Sequence, residues 1–249
     1  MKRFGLIGKT LKHSFSKTYF AKKFAEEGIK DCSYENFELS SIEEFSKLIL
    51  ENPELKGLNV TIPYKEEVIQ FLNFKNEIVE GVGACNCIKI TNGELHGYNT
   101  DVIAFKDSLQ KLLQPFHKCA LVLGTGGASK AVQYALKELS IDYLLVSRNK
   151  KQNQLGYEDI GNDAIEGHQI IINTTPLGMY PNVDQDPPIP YQYLTPQHLL
   201  YDLTYNPPKT KFLAQGEAKG AQIINGYEML LAQAEESWRI WNEDVNRQS

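Results

Sequence analysis

Short apolar runs alternate with amphipathic stretches along the chain, and this alternation is typical of an α/β protein. In the first third, strands are predicted at residues 3–8 and 57–62, and residues 81–90 supply further strand material. Residues 91–94 carry the Asn-Gly sequence of a tight hairpin turn, from which the chain returns through residue 98. Because helical stretches separate these strands, the first third is predicted to form a small α/β sheet of its own.

Polar side chains mark the predicted helix starts in this region. Ser16 is the predicted N-cap of a helix whose apolar face includes Phe20 and Phe24. Ser41 and Glu44 form a capping box before a second helix. A later helix, which begins after residues 99–101, is predicted to bury the face formed by Val102, Phe105, Leu109 and Leu112.

The rest of the chain repeats a buried strand followed by a turn or a helix. Strands are predicted at residues 120–123, 143–146, 170–173, 199–203 and 221–224. Apolar runs of this kind are typical of a parallel sheet that is covered on both faces. Residues 150–169 contain no long helical pattern, so this crossover is predicted to be abbreviated. The last helix follows Gly226 and carries an apolar stripe with Trp238 and Trp241, which we expect to pack on the first domain.

A glycine-rich turn lies between a predicted strand and a predicted helix in the middle of the chain. Residues 124–129, Gly-Thr-Gly-Gly-Ala-Ser, directly follow an apolar strand. Gly124 allows the tight turn, and Gly126 lets the backbone approach a pyrophosphate that faces the N–H groups of the helix start. The sixth position, usually glycine or alanine, is Ser129. The motif could be no more than a tight turn, but its context predicts a dinucleotide site that also includes Gly127 and Ala128.

The end of the next strand indicates which dinucleotide is bound. Residues 147–149, Ser-Arg-Asn, lie about where the cofactor ribose is expected, and Lys150 and Lys151 follow. NAD-binding proteins usually place an acidic residue there, and this segment has none. Arg148 can form forked, charge-assisted hydrogen bonds with a 2′-phosphate, so we expect NADP. A solvated basic strand end is the alternative interpretation.

The composition excludes several classes of protein. At 249 residues the chain is long enough for two modest domains or one large one, and 42% apolar residues suit ordinary globular cores. A net charge of −5 argues against nucleic-acid binding as the main function. No apolar run reaches the length of a membrane span, and Met1 leads into a strand rather than a signal peptide. We therefore expect a cytoplasmic protein.

The cysteine and histidine positions give no support for a metal site. The spacing of the four cysteines and five histidines matches no metal-binding pattern, and Cys85 and Cys87 are one residue too close for a redox pair. We expect Cys32, Cys85, Cys87 and Cys119 to be buried free thiols in a reducing compartment.

Two candidate acid–base residues lie in the first 101 residues of the chain. Lys65 follows a strand end and Asp101 opens a helix, positions at which side chains can meet in a cleft. An ammonium group can donate a proton to a developing alkoxide, and a nearby carboxylate can hold the ammonium in place. Taken singly, a surface lysine and an N-capping aspartate are the simpler interpretations. With this pair, five polar residues at strand ends or in turns describe a pocket for a small polyhydroxylated acid: Ser14, Ser16, Asn59, Thr61 and Asn86.

Several motifs occur in one order along nearly the whole chain. They are residues 13–17 (His-Ser-Phe-Ser-Lys), 59–65 (Asn-Val-Thr-Ile-Pro-Tyr-Lys), 83–86 (Gly-Ala-Cys-Asn), 99–101 (Asn-Thr-Asp), 124–129, 147–148 (Ser-Arg), 173–179 (Asn-Thr-Thr-Pro-Leu-Gly-Met) and 201–207 (Tyr-Asp-Leu-Thr-Tyr-Asn-Pro). In this order and spacing the chain resembles the shikimate dehydrogenases. Residues 59–65 are the most specific of these motifs, and the resemblance closes with Gly226, Met229 and Gln233.

The resemblance implies a fold and a set of roles. It implies an α/β protein with a substrate-binding domain at residues 1–101, completed by a C-terminal helix at 226–249, and a Rossmann-type NADP-binding domain at 102–225. Lys65 and Asp101 would be the catalytic pair. Substrate would contact Ser14, Ser16 and Tyr205 through its carboxylate, and Asn59, Thr61, Asn86 and Gln233 through its hydroxyls. NADP would contact Gly124, Gly126, Gly127, Ala128, Ser147, Arg148, Thr174, Gly226 and Met229.

The expected activity is the NADP-dependent reduction of 3-dehydroshikimate to shikimate, on the way to aromatic amino acids. The expected partners are small molecules only, with no nucleic acid and no membrane, and the expected state is a monomer or homodimer. Three alternatives remain open at this point: a quinate/shikimate dehydrogenase that prefers NAD, a related dehydrogenase acting on a different acid, and a cofactor-binding regulator without catalysis. Lys17 and Glu228 depart from the family pattern, the first in the substrate loop and the second near the expected nicotinamide.

Overall fold

The computed structural model describes residues 1–12 and 14–243. The strands are β1 (Lys2–Gly8), β2 (Cys32–Glu38), β3 (Leu55–Val60), β4 (Phe74–Lys75), β5 (Cys87–Thr91), β6 (Glu94–Tyr98), β7 (Cys119–Leu123), β8 (Asp142–Val146), β9 (Gln154–Leu155), β10 (Ile170–Asn173), β11 (Leu199–Asp202) and β12 (Gln222–Asn225). The α-helices are α1 (Phe15–Glu26), α2 (Phe45–Glu51), α3 (Glu77–Val82), α4 (Thr100–Gln110), α5 (Gly127–Glu138), α6 (Asn162–Gly167), α7 (Lys211–Glu217) and α8 (Tyr227–Asn242). His13 of the first motif and residues 244–249 of the predicted C-terminal segment lie outside the described residues.

The chain divides into two compact units. One contains Met1–Thr100 and the chain from Gln233 onward, and the other contains Asp101–Ala232. The first division lies at the predicted boundary near residue 101, but the second lies inside α8 rather than before it, because the later turns of this helix pack on the first sheet. The assignment of substrate to one domain and cofactor to the other remains a prediction.

The first unit contains a six-stranded mixed sheet in the order β2-β1-β3-β5-β6-β4. Strand β1 is parallel to β2 and β3, whereas β5 is antiparallel to both β3 and β6. Thr91 pairs with Glu94, which confirms the predicted hairpin. The register places Asn59 opposite Cys87, and Cys87 opposite Tyr98. The end of β3, the start of β5 and the end of β6 therefore lie at one edge of the sheet.

The strand material predicted from residue 81 begins only at Cys87. Helix α3 occupies part of the preceding segment, and the Asn76 side chain caps it by accepting a hydrogen bond from Val79 N at 3.0 Å. Val79 and Val82 are both buried, and a spacing of three residues places them on one helix face. The apolar residues of this segment therefore follow helical spacing rather than the alternation of a strand, and the segment forms a helix.

Two further details of the predicted helices are wrong. Ser16 lies inside α1, and the N-cap is Ser14, whose hydroxyl accepts a hydrogen bond from Lys17 N at 3.4 Å. Both serines suit an N-cap, so residue type alone does not select between them. Helix α4 ends at Gln110, so Leu112 lies beyond the apolar face to which it was assigned.

The later turns of α8 pack on the sheet of the first unit. Trp241 stacks on Phe4 with ring centroids 4.8 Å apart, and its indole N–H donates to the Ile88 carbonyl at 3.0 Å. Lys89 Nζ donates to the Ile240 carbonyl at 2.9 Å, near the helix C-terminus, where a cation is favoured. The predicted return of the last helix to the first domain is confirmed.

The second unit contains a six-stranded sheet in the order β12-β11-β10-β7-β8-β9, in which every pairing is parallel. The chain builds outward from β7 through β8 and β9, and then from β10 through β11 and β12. This is the doubly wound order of dinucleotide-binding domains, and the order reverses between β7 and β10. The crossover from β9 to β10 contains only the six residues of α6 as an α-helix, which confirms the predicted abbreviation.

Replacing Trp241 by alanine is expected to lower the free energy of unfolding by about 3–5 kcal/mol, because it leaves a cavity beside Phe4 and removes a hydrogen bond. The midpoint of urea unfolding, followed by far-ultraviolet circular dichroism, measures this loss. Tyr227→Ala is the matched control on the same helix; its side chain is 49% exposed, so a change below about 0.5 kcal/mol is expected. Equal losses in the two variants would contradict the packing role of Trp241.

Candidate functional site

Polar side chains converge at the edge of the first sheet where β3 ends. Asn59 is the penultimate residue of β3, and Asn86 directly precedes β5. The two segments are joined by a hydrogen bond from Val60 N to the Asn86 carbonyl at 2.9 Å. The Asn59 and Asn86 side chains are only 4% and 3% exposed, so their polar atoms need partners inside the protein.

The side chain of Asn59 is held from two sides. Its Oδ1 accepts a hydrogen bond from the Tyr34 hydroxyl at 2.8 Å, while its Nδ2 donates to Ser237 Oγ at 2.9 Å and to the Asn86 carbonyl at 3.3 Å. An amide has two N–H donors and an oxygen that can accept two hydrogen bonds. Both donors of Asn59 are used, and its oxygen retains one acceptor position for a ligand.

The side chain of Asn86 is fixed by Thr100. Asn86 Nδ2 donates to Thr100 Oγ1 at 3.0 Å, and Asn86 Oδ1 accepts from Thr100 N at 2.7 Å. Thr100 Oγ1 also lies 3.4 Å from Ser237 Oγ, which donates to the Gln233 carbonyl at 2.8 Å. One N–H of Asn86 thus remains for a ligand. We call Tyr34, Asn59, Asn86, Thr100 and Ser237 the amide network.

Tyr34 and Ser237 are the members that sequence analysis missed, and Thr100 had no role assigned. Burial raises the pKa of Tyr34, so its hydroxyl is a protonated donor at neutral pH, and hydrogen bonding with Ser16 opposes the rise. The predicted Ser16 therefore lies beside the same network. A small polar residue four positions after Gln233, on the packed side of a helix, was the signal that could have identified Ser237.

Four other predicted substrate residues have less specific surroundings. Thr61 is half-buried. It lies beside the end of β1, where its N–H donates to the Ile7 carbonyl at 2.9 Å. Ser14 caps α1, and Gln233 is half-buried on α8. Tyr205 belongs to the second unit, where it follows β11 and is 38% exposed. Contact of these side chains with substrate stays a prediction.

Lys65 and Asp101, the predicted catalytic residues, belong to different units. Lys65 is half-buried in the turn after β3, and its carbonyl accepts a hydrogen bond from Cys85 N at 2.7 Å, which ties this turn to the segment before β5. Asp101 is half-buried in the first turn of α4, where the helix dipole favours a carboxylate, and it directly follows Thr100. Their action as a pair stays a prediction.

In the second unit, the glycine turn lies where the sheet order reverses. Gly124 directly follows β7, and Thr174 directly follows β10. Thr174 donates from its N–H and its hydroxyl to the Leu123 carbonyl, at 2.9 and 2.7 Å. Gly124 has a φ of +103°, and a Cβ there would lie 2.8 Å from Thr174 Oγ1, so this position requires glycine. Ligands of doubly wound sheets bind at such a reversal, which is where these two predicted residues meet.

The first turn of α5 offers backbone N–H groups to an anion. Gly126 precedes this helix, and no side chain of the described residues caps it. A Cβ on Gly126 or on Gly127 would meet no atom within 4 Å, so open space lies before the turn that also contains Ala128. Ser129 is fully buried and accepts a hydrogen bond from Gln133 at 3.1 Å, so it preserves the close packing of the helix. This geometry fits a pyrophosphate.

Of the three basic residues after β8, Arg148 and Lys150 have different surroundings. Lys150 Nζ lies 2.7 Å from the carboxylate of Asp159 and 3.3 Å from that of Glu158. Arg148 is exposed, and across residues 1–12 and 14–243 it forms no ion pair. Arg148 lies close enough to Tyr157 to oppose the rise that burial causes in the pKa of that phenol. Arg148, rather than Lys150, is the cation that a phosphate group could recruit.

A buried carboxylate supports the loops that follow β10 and β11. Asp202 accepts hydrogen bonds from Asn173 Nδ2 at 3.1 Å, Thr204 N at 3.0 Å and Thr210 Oγ1 at 2.6 Å. Burial raises the pKa of Asp202, and these donors oppose the rise. Asn173 Oδ1 in turn accepts from the Thr175 hydroxyl at 2.6 Å. No role was predicted for Asp202, Asn173, Thr204 or Thr210, although the loops after β10 and β11 carry predicted site residues.

The remaining predicted cofactor residues have local structural roles as well. Ser147 Oγ accepts a hydrogen bond from Asn149 N at 3.3 Å. A Cβ on Gly226 would overlap the Leu203 carbonyl, so glycine is required there by backbone packing. Met229 is half-buried in the first turn of α8. Contact of these residues with a cofactor stays a prediction.

Within residues 1–12 and 14–243, the acidic, histidine and cysteine side chains form no metal centre. Among the described residues, no group of three His, Cys, Asp or Glu side chains could hold a metal ion. All four cysteines are free thiols; Cys85 and Cys87 are buried, which raises the pKa of Cys85 to about 12, whereas Cys32 and Cys119 are half-buried at strand starts. Over the described ranges, none of the helices has the length and apolar character needed to span a bilayer.

Comparisons with known proteins agree with this geometry. Residues 6–88 match the family model of the shikimate dehydrogenase substrate binding domain. A shikimate dehydrogenase (NADP(+)) of Caldicellulosiruptor saccharolyticus is 36% identical, over 99% of this chain and 94% of that enzyme. The crystal structure of shikimate dehydrogenase from Aquifex aeolicus is 34% identical, with a TM-score of 0.85 and coverage of 97% of this chain and 92% of that one.

A further solved structure carries bound ligands. The shikimate 5-dehydrogenase of Thermus thermophilus, crystallised in complex with NADP(H) and shikimate, is 27% identical, with a TM-score of 0.85 and coverage of 97% of this chain and 94% of that one. The similarity therefore extends over nearly the full length of each of these proteins and includes both sheets. This chain belongs to the shikimate dehydrogenase family.

Proposed function

We propose that this protein catalyses the reversible, NADP-dependent reduction of 3-dehydroshikimate to shikimate. The observation that carries the proposal is the amide network, which leaves one acceptor on Asn59 and one donor on Asn86. A neutral hydroxyl group both donates and accepts, so it satisfies these two positions together. The Thermus thermophilus enzyme was crystallised with NADP(H) and shikimate, and shikimate carries neutral ring hydroxyls of this kind.

The proposed substrate contacts follow the chemistry of each side chain. Ser14, Ser16 and Tyr205 supply hydroxyl groups for the carboxylate of the substrate. The ring hydroxyls are assigned to the amide and hydroxyl groups of Asn59, Thr61, Asn86 and Gln233. Because these groups are neutral, they recognise hydroxyls without placing a second charge beside the carboxylate.

The proposed cofactor contacts lie at the point where the second sheet reverses. Gly124, Gly126, Gly127, Ala128 and Thr174 surround the pyrophosphate position, and Gly226 and Met229 are assigned to the nicotinamide end. Ser147 and Arg148 hold the 2′-phosphate that distinguishes NADP from NAD. When bound, NADPH supplies the hydride for the ring carbonyl.

Lys65 is the proposed proton donor. As negative charge develops on the carbonyl oxygen during reduction, the Lys65 ammonium group transfers a proton to that oxygen; in the oxidative direction Lys65 takes it back. Asp101 orients Lys65 and binds a neighbouring hydroxyl. The cytoplasmic location and the monomer or homodimer state remain predictions from the sequence.

Replacing Lys65 by alanine is expected to lower kcat about 10²- to 10⁴-fold, since general acid–base catalysis contributes effects of this size. Shikimate oxidation is followed through NADPH absorbance, and NADP binding is measured separately by fluorescence titration and should be unchanged. Lys56→Ala, which removes an exposed lysine from β3, is the control and should keep full turnover. Normal turnover of Lys65→Ala would remove Lys65 from the mechanism.

Replacing Arg148 by alanine is expected to raise KM for NADP about tenfold or more and to leave KM for NAD unchanged, because one charge-assisted contact to the 2′-phosphate is lost. Steady-state kinetics with each cofactor at saturating shikimate measures both values. Lys150→Ala should have a smaller effect, since Lys150 already pairs with Asp159 and Glu158. If Arg148→Ala left NADP kinetics intact, the solvated strand end would be the correct interpretation.

A further inference from the structure

We propose that Tyr34 is a positioning residue for substrate recognition. Its hydroxyl holds the Asn59 amide in the one orientation in which Asn59 offers an acceptor to a substrate hydroxyl. The inference rests on the proposed function and extends it to a side chain that itself lies behind the substrate-facing residues. It concerns the first unit alone.

Three partners set the orientation of the Asn59 amide, one donor at its oxygen and two acceptors at its nitrogen. The Tyr34 hydroxyl donates to Oδ1 at 2.8 Å, and the Asn86 carbonyl accepts from Nδ2 at 3.3 Å. A carbonyl can only accept, so a flipped amide would place two acceptor oxygens against each other. Ser237 Oγ already donates its one proton to the Gln233 carbonyl, so it accepts from Asn59 Nδ2 and favours the same orientation as the Asn86 carbonyl.

The position of Tyr34 is fixed by packing rather than by the amide. Its ring stacks on Phe20 with centroids 4.5 Å apart and an interplanar angle of 17°. The centroid of the Trp241 ring lies 6.3 Å from that of Tyr34. Tyr34 lies in the middle of β2, opposite Phe4 of β1, and is 7% exposed. A donor held by strand pairing and ring packing keeps its place when the site is empty, so it can preorganise the amide.

Tyr34 also connects two parts of the proposed substrate site. Its hydroxyl interacts with Ser16, which is assigned to the substrate carboxylate, and with Asn59, which is assigned to a ring hydroxyl. Without this hydroxyl, Asn59 Oδ1 loses a donor in a site that is 4% exposed. The amide then keeps only the two hydrogen bonds of its Nδ2, and its oxygen is no longer fixed for a substrate hydroxyl, so substrate binding must order it. The effect should fall on substrate and not on cofactor.

Tyr34→Phe is the direct test, because it removes the hydroxyl and retains the stacked ring. Tyr64→Phe is the matched control: Tyr64 is 2% exposed in the same unit, and its hydroxyl donates to the Leu39 carbonyl at 2.6 Å. Each variant loses one buried hydrogen bond, so similar losses of stability are expected. Only Tyr34→Phe is expected to raise KM for shikimate, about tenfold, with kcat and KM for NADP within about twofold of the unmodified enzyme.

A double-mutant cycle with Asn59 gives a second readout. In an Asn59→Ala background, Tyr34→Phe should have no further effect on KM for shikimate, since its action passes through Asn59. Equal KM values for Tyr34→Phe and Tyr64→Phe, or additive effects in the cycle, would overturn the positioning role. If the unmodified protein does not oxidise shikimate, the proposed function fails and this inference fails with it. If the unmodified protein is active and the two tyrosine variants behave alike, only this inference fails.

Discussion

The hydrogen-bonding requirement of two buried asparagine side chains governs the first unit. Leaving one buried amide group unpaired costs roughly 1–3 kcal/mol, a sizeable part of the stability of a folded domain. Asn59 and Asn86 find their partners in Tyr34 of β2, Thr100 of α4 and Ser237 of α8, elements that are far apart in the chain. Together with the packing of Trp241 on Phe4, the amide network holds the last helix on the first sheet, and it fixes the chain directly before Asp101.

The two units are proposed to bind different ligands through different groups. The first sheet edge is lined by neutral amides and hydroxyls, which are the groups that discriminate hydroxyl positions on a small ring. In the second unit, backbone N–H groups at the reversal between β7 and β10 and the exposed Arg148 after β8 are groups that suit phosphate. Asp202 stabilises this second edge from inside, because it holds both adjoining loops.

Features determined by neighbouring residues were predictable from the sequence. The hairpin at residues 91–94 depends on Asn-Gly, and the buried strand predicted at residues 120–123 follows its apolar run. Long-range partners were not predictable: Tyr34 and Ser237 lie 25 and 178 residues from Asn59, and local periodicity carries no information about such pairs. The strand predicted from residue 81 was wrong at its start, where α3 ends, because a short apolar run fits either a strand or a helix. Catalytic roles came from the resemblance to a family, not from spacing.

The most direct measurement incubates the purified protein with shikimate and either NADP or NAD, with quinate run beside each, and follows nicotinamide reduction. Fast reduction with shikimate and NADP, and little with NAD or quinate, is the predicted result, because the amide network is proposed to recognise the ring hydroxyls and Arg148 the 2′-phosphate. Comparable rates with NAD or quinate would leave the fold in place and contradict the specificity argument. No reduction with any pair would contradict the assignment of a dehydrogenase activity itself.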